Sequence, residues 1–119
     1  MKQVMLLAAL FAMNAAAADV SGTWKGTAEI PNGKIERTFV FHQDGTKLTG
    51  ETSSQRTGKS ELKDGKVEGD KISFSITMNF QGNNVEVNYT GVISGDEIKF
   101  RAEAAGGGYG VDYVAKKEP

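Results

Sequence analysis

The sequence predicts an all-β protein, an eight-stranded antiparallel up-and-down barrel, with an open β-sandwich as the alternative arrangement. Three observations carry that expectation. From Ile72 to Phe80 five apolar residues alternate with four polar ones without a break, the period of a strand with one face in a core and the other in water. Asp44-Gly45, Asp64-Gly65, Gly69-Asp70 and Gly95-Asp96 punctuate such runs, and these dipeptides accept positive φ and close tight hairpins. The runs follow one another so closely that no length remains for crossover helices, so chain neighbours must pair antiparallel.

A segment of another kind precedes the first strand. Lys2 gives one positive charge, Val4 to Met13 is an uninterrupted apolar run, and Ala15 to Ala18 offer the small residues a signal peptidase needs. As a helix, ten apolar residues rise about 15 Å at about 1.5 Å each, half of a hydrocarbon core of about 30 Å, so the run is too short to span a membrane. Residues 1–18 therefore read as a secretory signal peptide cleaved before Asp19, and 19–119 as a single barrel domain. The leader has no cysteine to take a lipid, so the expected address is periplasmic or extracellular, free of the membrane after cleavage.

The strands are expected near 22–30, 35–43, 47–54, 59–69, 71–80, 84–94, 97–105 and 108–116. In the first, Trp24 shares its phase with the small residues Gly26 and Ala28; in the second, Ile35, Arg37, Phe39 and Phe41 share one. Leu48, Gly50, Thr52 and Ser54 form the inward set of the third, and Leu62 and Val67 mark the fourth. The sixth sets Val85, Val87 and Tyr89 against Glu86, Asn88 and Thr90. The seventh sets Ile98, Phe100 and Ala102 against Lys99, Arg101 and Glu103, and the last carries Val111 and Tyr113. Closing the meander removes its two edges, the simplest protection against edge-to-edge pairing. Gly65 to Phe74 also echoes Gly91 to Phe100 at an offset of 26, which repeats one strand–turn–strand unit and places a glycine where a strand bends or bulges.

Composition excludes several kinds of chemistry. The 119 residues contain no cysteine and one histidine, so disulfides, thiolate metal sites and cysteine nucleophiles are absent. Lys2 leaves with the leader, so 14 basic side chains become 13 against 15 acidic ones, a net charge of −2 with no electrostatic footprint for nucleic acid or an anionic membrane.

Gly22-Thr23-Trp24 at the head of the first strand, and Gly45 with Leu48-Thr49-Gly50-Glu51 leading into the third, resemble the lipocalin and avidin group of small barrels, the calycin-like fold. The resemblance implies that Trp24 packs across the closed bottom of the barrel. Trp24 is the only tryptophan, so the later ligand-stacking tryptophans of avidins have no counterpart. The phrase from Asp64 to Phe74 is similar to a small module of secreted or periplasmic bacterial proteins. Neither resemblance carries over a catalytic residue.

No enzyme is expected. His42 alone could serve as a general base near neutral pH, and its phase places it on the outer face beside Thr38 and Val40, at a hairpin end. No Gly-x-Ser-x-Gly elbow is present. Asp44, Asp64, Asp70 and Asp96 each adjoin a glycine and read as turn chemistry, without the spacing of a calcium loop, so no metal or cofactor is expected. Gly106 to Gly110 lacks the lysine and helix of a phosphate loop and reads as a flexible last hairpin. Asn88-Tyr89-Thr90 is a glycosylation sequon by letter, within a strand.

Arg37 is the informative exception. Its phase with Ile35, Phe39 and Phe41 points a guanidinium inward, where it must be paired, hydrated or turned to a ligand. A bulge or register shift that lets it reach the rim is the simpler placement. If it points inward, Thr52 and Ser54, with Tyr89, Tyr109 and Tyr113 from later strands, make one barrel end polar and aromatic while Trp24 closes the other. Two readings follow. The barrel mouth binds a small, partly apolar or anionic ligand held by Arg37, Thr52, Tyr89, Tyr109 and Tyr113. Alternatively, the interior is fully packed and the domain is a ligand-free structural or accessory module. Small inward residues, Gly26, Ala28, Gly50 and Ala104, favour space near one side.

Overall fold

The computed structural model describes residues 19–80 and 82–119, apart from the side chain of Phe80. The expected leader, residues 1–18, lies outside the described residues, as does the inward placement expected of Phe80. Among the described residues the strands are β1 (Gly22–Ile30), β2 (Gly33–Asp44), β3 (Lys47–Ser54), β4 (Gly58–Glu61), β5 (Lys63–Glu68), β6 (Lys71–Phe80), β7 (Asn83–Ser94), β8 (Glu97–Ala104) and β9 (Gly110–Lys117). Each pairs antiparallel with its chain neighbour, except that β3 pairs with both β4 and β5, and β9 returns to β1. β4 and β5 are two pieces of one barrel strand, so the structure is a closed eight-stranded antiparallel barrel, consistent with a calycin-like fold.

The interruption in the fourth barrel strand corrects one expectation. Asp64-Gly65 does not close a hairpin. It lies inside β5, where the register against β6 shifts between Lys63 and Lys66 and Asp64 takes φ 54°. Aspartate and glycine tolerate that conformation in a bulge as they do in a turn. The bulge brings Gly65 against Leu48, whose carbonyl oxygen would lie 2.2 Å from any Cβ at position 65. Only glycine allows the two strands to approach so closely. Asp44-Gly45, Gly69-Asp70 and Gly95-Asp96 do sit at hairpin ends, with all three glycines at φ between 62° and 65°.

Alternation along each strand fills the barrel with one continuous core. Phe39, Phe41, Phe74, Tyr89, Phe100 and Tyr113 pack as an aromatic cluster, with Phe74 stacked on Tyr89 at 4.8 Å and Phe39 on Phe100 at 5.1 Å. Offset and edge-on contacts of this kind add to the stabilisation from burial alone. Trp24, 1% exposed, closes one end as its resemblance implied, and its Nε1 donates to the Val20 carbonyl at 2.9 Å. Val20 is fully buried beside it, held by a hydrogen bond from its own N–H to Gln43 Oε1 at 2.9 Å. The segment before β1 thus seals the bottom of the barrel, and Lys117 Nζ lies 5.9 Å from the Trp24 ring.

The other end is open because the ladders stop short of it. β1 and β9 are paired only from Trp24↔Lys117 to Thr27↔Val114, and β2 and β3 part beyond Thr38↔Ser53. β7 and β8 part beyond Val87↔Ala104, while β4 faces β6 through side chains, Ser60 Oγ donating to Thr77 O at 3.0 Å. The barrel mouth is therefore a ring of four hairpins, β1–β2, β3–β4, β6–β7 and β8–β9, each paired within itself.

Candidate functional site

Inside this mouth is a cavity of about 510 Å³, within the range of small-molecule sites. Ile30 and Ile35 from the β1–β2 hairpin, Met78 and Val85 from the β6–β7 hairpin, and Val111 from β9 give it a mainly apolar wall. The aromatic cluster forms its floor through Tyr89 and Tyr113.

Arg37 stands at the edge of this floor. It is 4% exposed and the ladder opposite it is regular, Gly26↔Arg37 following Lys25↔Thr38 without a bulge. The simpler rim placement is thereby overturned, because no irregularity in β2 shifts the phase set by Phe39 and Phe41. Nη1 donates to Thr52 Oγ1 at 3.1 Å. Nη2 donates to Thr57 Oγ1 at 2.9 Å and Ser54 Oγ at 3.4 Å, and lies 3.6 Å from the weakly accepting Met78 Sδ. Ser54 and Thr57 are tied to each other at 2.9 Å, so the acceptors are positioned before any partner arrives. Nε is buried with no hydrogen-bond partner among the described residues.

Every one of these acceptors is neutral. The ion pairs among the described residues lie at the surface, such as Arg101 with Asp112 at 3.1 Å, and none includes Arg37. A buried guanidinium without a carboxylate is costly, since hydroxyl dipoles replace only part of its hydration. It also projects a positive potential into a cavity whose apolar walls screen it poorly.

Of the expected site residues, Arg37, Tyr89, Tyr109 and Tyr113 line this one cavity, and Thr52, fully buried, supports Arg37 from beneath. Burial raises the Tyr89 phenol well above its ordinary value, although Arg37 pulls in the opposite direction, so Tyr89 is neutral at physiological pH. Tyr109 is 43% exposed, at the lip. Burial raises its phenol too, and the charges of Arg37 and Arg56 oppose the shift. His42 is exposed on the outer wall beside Val40.

The space has a different origin from the one expected. A Cβ at Gly26 would lie 2.7 Å from the Phe39 ring, and one at Gly50 would lie 1.9 Å from the Val40 carbonyl oxygen, so neighbours already occupy both places. Ala104 does line the cavity, but most of the volume comes from the splaying of the hairpins. Thr57, Ile30 and Arg56 were not singled out. Thr57 and Arg56 lie in the turn between β3 and β4, where period two ends and no phase can be assigned.

Comparison of the chain with family models, curated proteins and solved structures found no match.

Proposed function

We propose that this is a small-molecule-binding barrel whose ligand has an apolar body and an anionic head. The body fills the cavity and the head pairs with Arg37. One observation carries the reading: a buried guanidinium with neutral acceptors and an unpaired Nε faces an apolar chamber. An oxyanion there would supply the missing charge and the missing acceptor together. Thr52 holds Arg37 in position, Tyr89 and Tyr113 form the floor, and Tyr109 closes over the ligand from the lip. In this reading the lipocalin-type use of a barrel mouth is retained without the stacking tryptophans of avidins, no catalysis or cofactor is involved, and residues 1–18 direct export.

The test is calorimetric titration of the protein with anilinonaphthalene sulfonate, an apolar anion, alongside Arg37→Met and Ala104→Phe. Saturable one-to-one binding that weakens at least about tenfold in Arg37→Met, and is blocked in Ala104→Phe, supports the reading. Equal binding by the unmodified protein and Arg37→Met would overturn it in favour of a structural module. Native mass spectrometry of protein recovered from its secretion route identifies the resident ligand and the mature N-terminus.

A further inference from the structure

The same guanidinium faces a second concavity. On the outer wall of β1, β2 and β3 lies a groove of about 850 Å³, and Ile35, Arg37, Ser54 and Arg56 line both the groove and the inner chamber. The backbone explains the sharing, because the β2–β3 ladder ends at Thr38↔Ser53 and Arg37 is the next residue of β2 past that point. There is therefore a gap in the wall, bounded by Arg37 on one side and by Ser54 and the β3–β4 turn on the other. Around its outer side the groove carries Lys25, Lys34 and Arg56 against the single acid Glu36. Arg56 has no carboxylate partner among the described residues.

We propose that this gap is a lateral doorway in which the ligand's head is shared between Arg37 and Arg56, and that the head is a phosphomonoester, with the tail in the chamber. The proposal rests on the chamber reading above and specifies the class of ligand. A carboxylate carries one charge and is satisfied by one guanidinium fork. A phosphomonoester is dianionic above its second pKa of about 6 and offers three acceptor oxygens. It alone matches two cations approaching from opposite sides of a wall, together with the unpaired Nε. Overall the domain is slightly acidic, so this local excess of cations is not a by-product of composition.

The experiment compares decyl phosphate with decanoate, two amphiphiles of equal chain length, by calorimetry at pH 8 and pH 5, for the unmodified protein and for Arg56→Gln. Arg56 is exposed in a turn, so the variant should fold. Decyl phosphate is expected to bind at least about tenfold more tightly than decanoate at pH 8. That preference should shrink to about twofold in Arg56→Gln and at pH 5, where the phosphate carries one charge. Equal affinity for the two amphiphiles would overturn the doorway while leaving the chamber reading intact. Failure of both to bind would defeat the chamber reading itself. Inorganic phosphate binding as tightly as decyl phosphate would overturn the proposal from the other side, since the tail would then contribute nothing.

Discussion

Arg37 and Thr52 meet inside the barrel, where Thr52 Oγ1 accepts from Arg37 Nη1 at 3.1 Å and donates to the Thr38 carbonyl at 2.9 Å. One buried hydroxyl thus fixes the guanidinium and joins β2 to β3 at the end of their ladder, next to the gap. Thr52→Val keeps the side-chain shape but strands both partners. It is expected to destabilise the fold by about 1–3 kcal/mol, the cost of unsatisfied buried polar groups, measured by urea unfolding. In an Arg37→Met background the penalty should be smaller, because only the Thr38 carbonyl is then left unpaired. Additive penalties would show that the two side chains are not coupled.

Arg37→Met separates function from stability. Methionine fills a similar volume and removes a buried charge that has no counterion. Replacing buried ions by apolar groups is often neutral or stabilising by about 1–4 kcal/mol. Unfolding free energy should stay level or rise while anion binding is lost. A drop of more than about 1 kcal/mol would identify Arg37 as a structural residue.

The contrast between what the chain reveals and what it conceals has a physical basis. Period two placed Arg37, Thr52, Tyr89 and Tyr113 on the inner face correctly, because strand phase is a local property and the ladders there are regular. Asp64-Gly65 misled because a bulge and a hairpin ask for the same backbone. Val20 was invisible as a bottom seal, since it precedes the first strand and belongs to no periodic run. Thr57 was invisible as an acceptor for Arg37 for the same reason at the other end. The cavity could not be read from residue size, because hairpin splay creates it and splay is a property of where ladders end.

Trp24→Phe tests the independence of the two ends. The change removes the hydrogen bond to Val20 O and leaves a void at the sealed bottom, costing about 2 kcal/mol in chemical unfolding. Trp24 does not line the chamber, so the affinity for anilinonaphthalene sulfonate should be unchanged. A parallel loss of affinity would mean that the bottom seal sets the geometry of the mouth.

Two glycines of opposite setting make a paired test. Gly50 combines φ 139° with a Cβ position 1.9 Å from the Val40 carbonyl oxygen, so Gly50→Ala should cost at least about 3 kcal/mol or prevent folding. Gly106 has open space around it and no left-handed φ, so Gly106→Ala should be neutral or stabilise by up to about 1 kcal/mol through the unfolded chain. Thermal unfolding of both variants, compared with the unmodified protein, checks the contrast.

Burial of Tyr89 sets the alkaline limit of the barrel. Its folded-state value lies above that of an unfolded tyrosine, about 10, so the fold holds the proton after the unfolded chain has released it. The unfolded state binds fewer protons in that range, and stability must therefore fall as pH rises. The contribution is complete below about pH 10 and declines above it. Between pH 8 and pH 11 the unmodified protein should lose about 1 kcal/mol more stability than Tyr89→Phe, which has no phenol at that position. Urea midpoints at the two pH values measure the difference, and lysine titration cancels between the two proteins. Parallel losses would mean that the Tyr89 hydroxyl reaches water through the cavity instead of being shielded by the aromatic cluster.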